Sequence, residues 1–426
     1  MRRERKAARA LQIAVLTATL VPAGLTAAQA QDRTTDSVKP ATPTAAAPAQ
    51  AARPSFEIYG FAMLDIGQNF KSIHPNWFDT MRVTRLPSFE KEFGEDNSTF
   101  AGVRQTRFGV RSSTPTDLGE LKTTFEFELF GVGVDEGQTT FRLRHAYGEL
   151  GQWLAGQTWS PFMDPDVFPN SLEYWGPTGM VFFRNVQVRW TPYSQDGKTA
   201  MIALERPGAS GDGGIYANRI ELQDIQNRSR LPDLSGAFKW QQDWGYLRAA
   251  GILRDIAWDD LNDDGIELSG NETGWGINLS SNLKVGKKSV VRLQYVFGEG
   301  IQNYMNDSPV DIGIVNNFSD PVTPILGKAI PIQGFVGFVD VNWNSEFSST
   351  FGYSWQENDN LEAQAPSAFR TGHYLLGNIL HYPAPNVMVG GELQWGRREN
   401  FTDGFTSDGL KVQVSFKYNF SVKIGG

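Results

Sequence analysis

The chain has 426 residues, of which 40% are hydrophobic and 20% charged, with 44 Gly, no Cys and a formal net charge of −8. Without thiols there is no disulfide scaffold, thiolate metal site or cysteine nucleophile, and the acidic balance excludes nucleic acid as a partner, because phosphate binding needs a clustered surplus of Lys and Arg. The overall polarity also excludes a helical membrane protein, whose spans are repeated apolar stretches of about 20 residues.

Residues 1–30 have the layout of a secretory signal peptide. Arg2, Arg3, Arg5, Lys6 and Arg9 precede an apolar run from Ala10 to Val21, and Ala28-Gln29-Ala30 supplies a small-residue cleavage signal. Its removal leaves 34 basic against 46 acidic residues, a mature net charge of −12. Residues 31–54, dominated by Pro, Ala and Thr, offer little to bury and read as an extended, disordered linker.

From Phe56 to Phe420 the dominant signal has period two. In the last run Leu410, Val412, Val414, Phe416, Tyr418 and Phe420 alternate with Lys411, Gln413, Ser415, Lys417 and Asn419. Such alternation marks strands with one apolar and one polar face. It predicts strands near 56–69, 99–112, 119–130, 140–149, 153–157, 181–190, 199–206, 230–241, 244–255, 272–284, 288–299, 332–343, 346–357, 368–382, 386–398 and 408–420. The connections alternate too: short ones such as 191–198, 242–243 and 383–385 against long ones such as 70–98, 158–180, 207–229 and 300–331. A meander with one smooth end and one loop-rich end is the consequence.

A soluble β-sandwich would bury the apolar face and need few charges on the other. Here the polar face carries Arg, Lys, Glu or Gln at almost every strand, which suits a closed barrel with apolar residues outward and polar ones inward. Trp190, Trp240, Trp244, Trp343 and Tyr382 flank short turns, where an aromatic girdle at the headgroup level would lie. The fold expected over 55–420 is therefore an all-β, 16-stranded antiparallel up-and-down transmembrane β-barrel, with 421–426 as a short C-terminal extension.

The block Arg144-His145-Ala146-Tyr147-Gly148-Glu149 followed by Gly156-Gln157-Thr158-Trp159-Ser160-Pro161-Phe162-Met163-Asp164 resembles the DcaP-like group of Gram-negative trimeric porins. Arg107-Phe108-Gly109-Val110-Arg111 followed by Asp117-Leu118-Gly119 echoes the broader porin pattern. The resemblance spans about 55–420 and implies an outer-membrane homotrimer admitting small anionic solutes such as dicarboxylates. Two features depart from it. The stretch before the barrel has no heptads for a coiled coil, and Phe420 is followed by six further residues.

Parity assigns the interior. With Phe108, Val110, Phe141, Leu143, Tyr147, Val186, Val188 and Trp190 outward, Arg107, Arg111, Arg142, Arg144 and Arg189 project into the lumen, and His145 falls on the outward side at a subunit seam. Arginines stay charged and their forks suit carboxylate oxygens, so such a ring in a narrow passage selects anions. The competing reading pairs them with Glu126, Glu128 or Glu205 as wall braces. Residues 158–180 hold four Pro and the carboxylates Asp164, Asp166 and Glu173. That composition favours a stiff folded loop, and in the porins it resembles this loop enters the barrel, where Asp164 and Asp166 would face the arginine wall. An extracellular cap loop is the alternative.

Asp260 to Gly265 begins like a calcium loop, but Asn271 stands where the closing acid belongs and no helices flank it. The four His show no HExxH or nucleophile-elbow pattern. The sequence thus points to a non-enzymatic diffusion porin of the Gram-negative outer membrane, with lipid and small anions as partners and no cofactor. A barrel hydrolase and a blocked structural or adhesin barrel are the other classes.

Overall fold

The computed structural model describes residues 53–425. The signal-peptide reading and all but the end of the linker lie outside the described residues.

Sixteen strands build the wall. They are β1 (Ser55–Asn69), β2 (Arg107–Thr116), β3 (Gly119–Phe130) and β4 (Thr139–Leu150). Next come β5 (Trp153–Trp159), β6 (Arg184–Gln195), β7 (Lys198–Glu205) and β8 (Asp233–Gln242). The third quarter is β9 (Gly245–Asp260), β10 (Gly270–Val285), β11 (Ser289–Glu299) and β12 (Pro331–Asn342). The last is β13 (Phe347–Asn358), β14 (Phe369–Ala384), β15 (Val387–Asn400) and β16 (Thr406–Gly425).

Each strand pairs antiparallel with its chain neighbours, and β1 closes the ring by pairing with β16 from Ser55↔Gly425 to Asn69↔Lys411 and with β2 from Ser55↔Ser113 to Phe61↔Arg107. Closure pairs wall amides around the ring and leaves no free sheet edge at its two ends, the arrangement that lets a sheet stand in hydrocarbon. The short connections are tight turns; Asp196 and Gly197 both have positive φ, 53° and 71°, the two-residue hairpin that matches strand twist. Among the described residues no helix is long and apolar enough to cross a membrane.

Phe108, Phe125, Val188, Leu253, Phe351 and Val414 are exposed on the outer face, as alternation requires. Trp153, Trp190, Trp240, Trp244 and Trp343 are exposed beside the short turns. Tyr382 breaks the girdle expectation. The β14–β15 register shifts between His381 and Ala384, and the Tyr382 hydroxyl turns inward to Ser348 at 2.9 Å and Asn170 at 3.3 Å.

Three other expectations need correction. The strand near 99–112 is two: Ser98–Gly102 pairs with the end of β1, and β2 begins only at Arg107. Between them Arg104 turns inward, donating from Nε to Asp79 at 2.9 Å. Residues 421–425 are not an extension but the end of β16, paired with Ser55 to Tyr59. The inner surface is also not polar throughout. Ile252, Val296, Ile332, Val336, Phe338, Tyr374 and Leu376 form an apolar inner face against which Met81, Val83 and Leu86 of the first loop and Phe162, Met163, Val167 and Met180 of the third are buried. Burying a side chain of this size contributes about 1.5–3 kcal/mol, which is what draws two long loops into the barrel.

The far part of the loop 206–232 is exposed, the Arg219 side chain 62% so. Trypsin added to intact cells should therefore cut at Arg219 or Arg228 and leave Lys198 and Lys287, beside short turns, untouched. Cleavage at the latter pair, read by mass spectrometry, would invert this topology.

Candidate functional site

Residues opposite one another on antiparallel strands share a face. On β3 and β4, Glu126 lies opposite His145 while Phe127 lies opposite Leu143, so Arg144 is one residue too many and forms a β-bulge. The bulge reverses parity beyond it. Arg142 and Arg144 both point inward, as the sequence implies, but so do His145 and Tyr147, which alternation had placed outside. His145 is buried, with Nδ1 3.0 Å from Thr158 Oγ1.

The bulge concentrates cations on two wall carboxylates. Arg144 donates from Nε to Glu126 at 2.7 Å and from Nη1 to Glu128 at 2.5 Å. Arg107 approaches Glu126 at 3.5 Å and Glu128 at 3.6 Å, Arg142 approaches Glu128 at 3.5 Å, and Arg184 approaches it at 3.8 Å. The Tyr59 hydroxyl donates to Glu126 at 3.0 Å, and the Tyr174 hydroxyl donates to Glu128. Four arginines against two glutamates leave a surplus of two positive charges. Accessibility is unequal: the Arg144 side chain is 6% exposed and those of Arg107 and Arg142 are 27% and 28%. The bracing reading therefore describes Arg144, whereas Arg107 and Arg142 brace the glutamates and still meet the lumen.

Arg111 lies with its guanidinium carbon 4.1 Å from the Tyr59 ring, and Arg189 pairs with Glu149 at 3.7 Å. Lys417 sits over Phe61 at 4.2 Å on the same side of the barrel. Arg184 was missed because it has the outward parity of Val186 and lies at the junction of strand and loop, where alternation says nothing.

The loop 160–183 enters the barrel, but its acids do not face the arginines. Asp164 accepts from Tyr246 of β9 at 2.8 Å and from Ser280 of β10, and Asp166 pairs with Lys239 of β8 at 2.6 Å. Asn170 contacts Asp340 of β12 and Asn378 of β14. Glu392 of β15 accepts the Leu172 and Glu173 N–H groups at 2.7 and 2.8 Å, while Glu173 takes a charge-assisted bond from Lys411 of β16. Tyr174 then returns to Glu128 on β3. The carboxylates thus fasten the loop around the inner wall, and buried acids demand this because unpaired charge in such a site is costly. The first loop adds Arg82, sandwiched between Trp77 and Trp175 at 4.1 and 4.2 Å and bonded to Asp307 at 2.9 Å. Burial pulls its guanidinium below the ordinary value, and Asp307 opposes that shift.

In 260–269 the Asp260 carboxylate accepts N–H groups of Asn262 and Leu268, so it closes its own turn. Among the described residues no three His, Asp or Glu side chains are grouped to hold a metal ion.

A family model described as DcaP outer membrane protein matches residues 41–420. The chain belongs to that family. Among solved structures it is similar to the outer membrane channel DcaP of Acinetobacter baumannii, with a TM-score of 0.71 at 19% identity over 87% of this chain and 99% of that one. The anion-selective porin from Comamonas acidovorans gives 0.54 at 11% identity over 86% and 100%. OmpT of Vibrio cholerae gives 0.50 at 13% over 86% and 98%. No curated protein matches the chain by sequence. The structural likenesses bear on the fold, and the family places the chain in the outer membrane.

The cluster makes a stability prediction within this DcaP-family barrel. Arg144→Gln strips two buried carboxylates of their closest cation, a change that costs ~3–5 kcal/mol. It should markedly lower the temperature at which the folded band disappears on an unboiled gel. Arg111→Gln should move it far less, and equal shifts would contradict the assignment of Arg144 as the central brace.

Proposed function

We propose that the chain is a diffusion porin for small anionic solutes, dicarboxylate-like in charge and size, and that it has no enzymatic activity. The observation that carries this is the surplus of two positive charges around Glu126 and Glu128, presented to the lumen by Arg107 and Arg142. Guanidinium forks match carboxylate oxygens in a plane, and an aqueous passage lined by them favours anions. Arg111 and Lys417 extend the cationic side toward the short-turn end, where Arg189 is paired with Glu149, while the inserted loop occupies the opposite wall through Asp164 and Asp166.

Replacing Arg107 and Arg142 together with Gln brings the cluster to neutrality while leaving Arg144 on its carboxylates. A loss of ~1.4 kcal/mol of preference is about tenfold in permeant ratio. The zero-current potential of the double variant in a salt gradient should therefore move toward zero from an anion-selective value. An unchanged potential with normal insertion would remove these arginines from the selectivity account.

We also infer a homotrimer. Pairing of β4 with β5 runs only from Ala146↔Gln157 to Leu150↔Trp153, so the upper half of β4 has no strand beside it on that side among the described residues. An open strand edge is not tolerated against lipid. Gln157 Nε2 donates to the Arg144 carbonyl at 3.2 Å, the neighbouring outer face carries Phe141, 78% exposed, and the loop before β4 carries Val134, 97% exposed. A second copy covering this edge accounts for both features, and three copies are what the family resemblance implies. The seam thus rests on this edge and no longer on His145 and Tyr147. Light scattering after mild detergent extraction should give three chains per particle; a monomer in several mild detergents would contradict the inference.

A further inference from the structure

At the loop-rich end of the barrel, where the loop 206–232 meets the end of β9, a hairpin of Ile312–Asn316 and Ile325–Ala329 packs on Ile256 and Trp258. These segments enclose an open cavity of about 360 Å³ lined by Ile225, Ile256, Trp258, Ile314, Leu326 and Asp212. The Trp258 indole is held by the Leu268 carbonyl at 2.7 Å. A Cβ at position 327 would stand 2.5 Å from that ring, so Gly327 is what lets the hairpin close against it. A pocket of this size with aliphatic walls and few polar groups is the usual form of a small-molecule site.

Its charge is opposite in sign to that of the arginine cluster. Asp212 is the acidic lining group, and its contacts are neutral donors: the Gly214 N–H at 2.8 Å and the Gln364 amide at 3.5 Å. The surrounding segments 206–232 and 259–269 carry eight acidic against four basic residues, a net charge of −4. Two of those bases, Arg219 and Arg228, are engaged by Glu221 and Asp259.

We propose that this cavity is a binding site for a small amphipathic organic cation, with the aliphatic body against Trp258 and Leu326 and the ammonium at Asp212. None of its lining residues belongs to the strands that carry the arginine cluster, and its occupant is held rather than conducted. Hexylammonium and hexanoate, equal in length and opposite in charge, test it by titration calorimetry on the protein in lipid nanodiscs.

Hexylammonium should bind saturably, at one per chain, at least about tenfold more tightly than hexanoate. Ala217→Trp, at an exposed position on the cavity lining, should abolish binding by filling the space while leaving channel conductance unchanged. Asp212→Asn should weaken hexylammonium about tenfold. Absence of saturable binding, its persistence in Ala217→Trp, or equal binding of hexanoate would each overturn the proposal.

Discussion

Glu126 and Glu128 are carboxylates on the inner wall of a membrane barrel, one 4% and the other 1% exposed. Charges so placed require partners, since the penalty for an unpaired buried ion is several kcal/mol. The partners come from β2, β4 and β6 at once, so the two acids tie three strands and, through Tyr174, the inserted loop to one point. The bulge at Arg144 is part of the same solution, because an unbulged β4 could not direct residues 142, 144 and 145 to one side. The cationic lumen proposed for the transport role is a by-product of the same oversupply: more arginines converge than the glutamates neutralise.

The rest of the interior follows a second constraint. A ring of sixteen strands encloses more space than wall side chains can fill, and this molecule fills much of it with chain. The loop 160–183 meets β8 to β12, then β14 to β16, and finally β3, through one fastening after another. Each fastening is a buried or half-buried polar group with a specific partner. None of these fastenings uses Arg107, Arg111, Arg142 or Lys417, which is why the proposed passage is placed on their side.

Much of the wall was legible in the sequence because lipid imposes a strict period of two. The strand boundaries at 119–130, the start of the next-but-one strand at 153 and the alternation of short and long connections follow directly from it, as does the inward placement of Arg107, Arg111, Arg142, Arg144 and Arg189. What failed shares one cause, which is that alternation is local. A single extra residue at Arg144 leaves no mark in composition, yet it turned His145 and Tyr147 from the seam to the lumen. The partners of Asp164 lie some eighty and more than a hundred positions along the chain, and no periodicity within 158–180 points to them. Proline and acid content did show that this loop is folded, but not which wall it meets.

The central claim is that the cationic surplus governs what passes. A zero-current potential measured for the wild-type protein in a planar bilayer, across a tenfold gradient of potassium chloride, tests it directly. The sign should show chloride more permeant than potassium, and the preference should shrink as salt screens the arginines. A cation-selective potential, insensitive to ionic strength, would contradict the account.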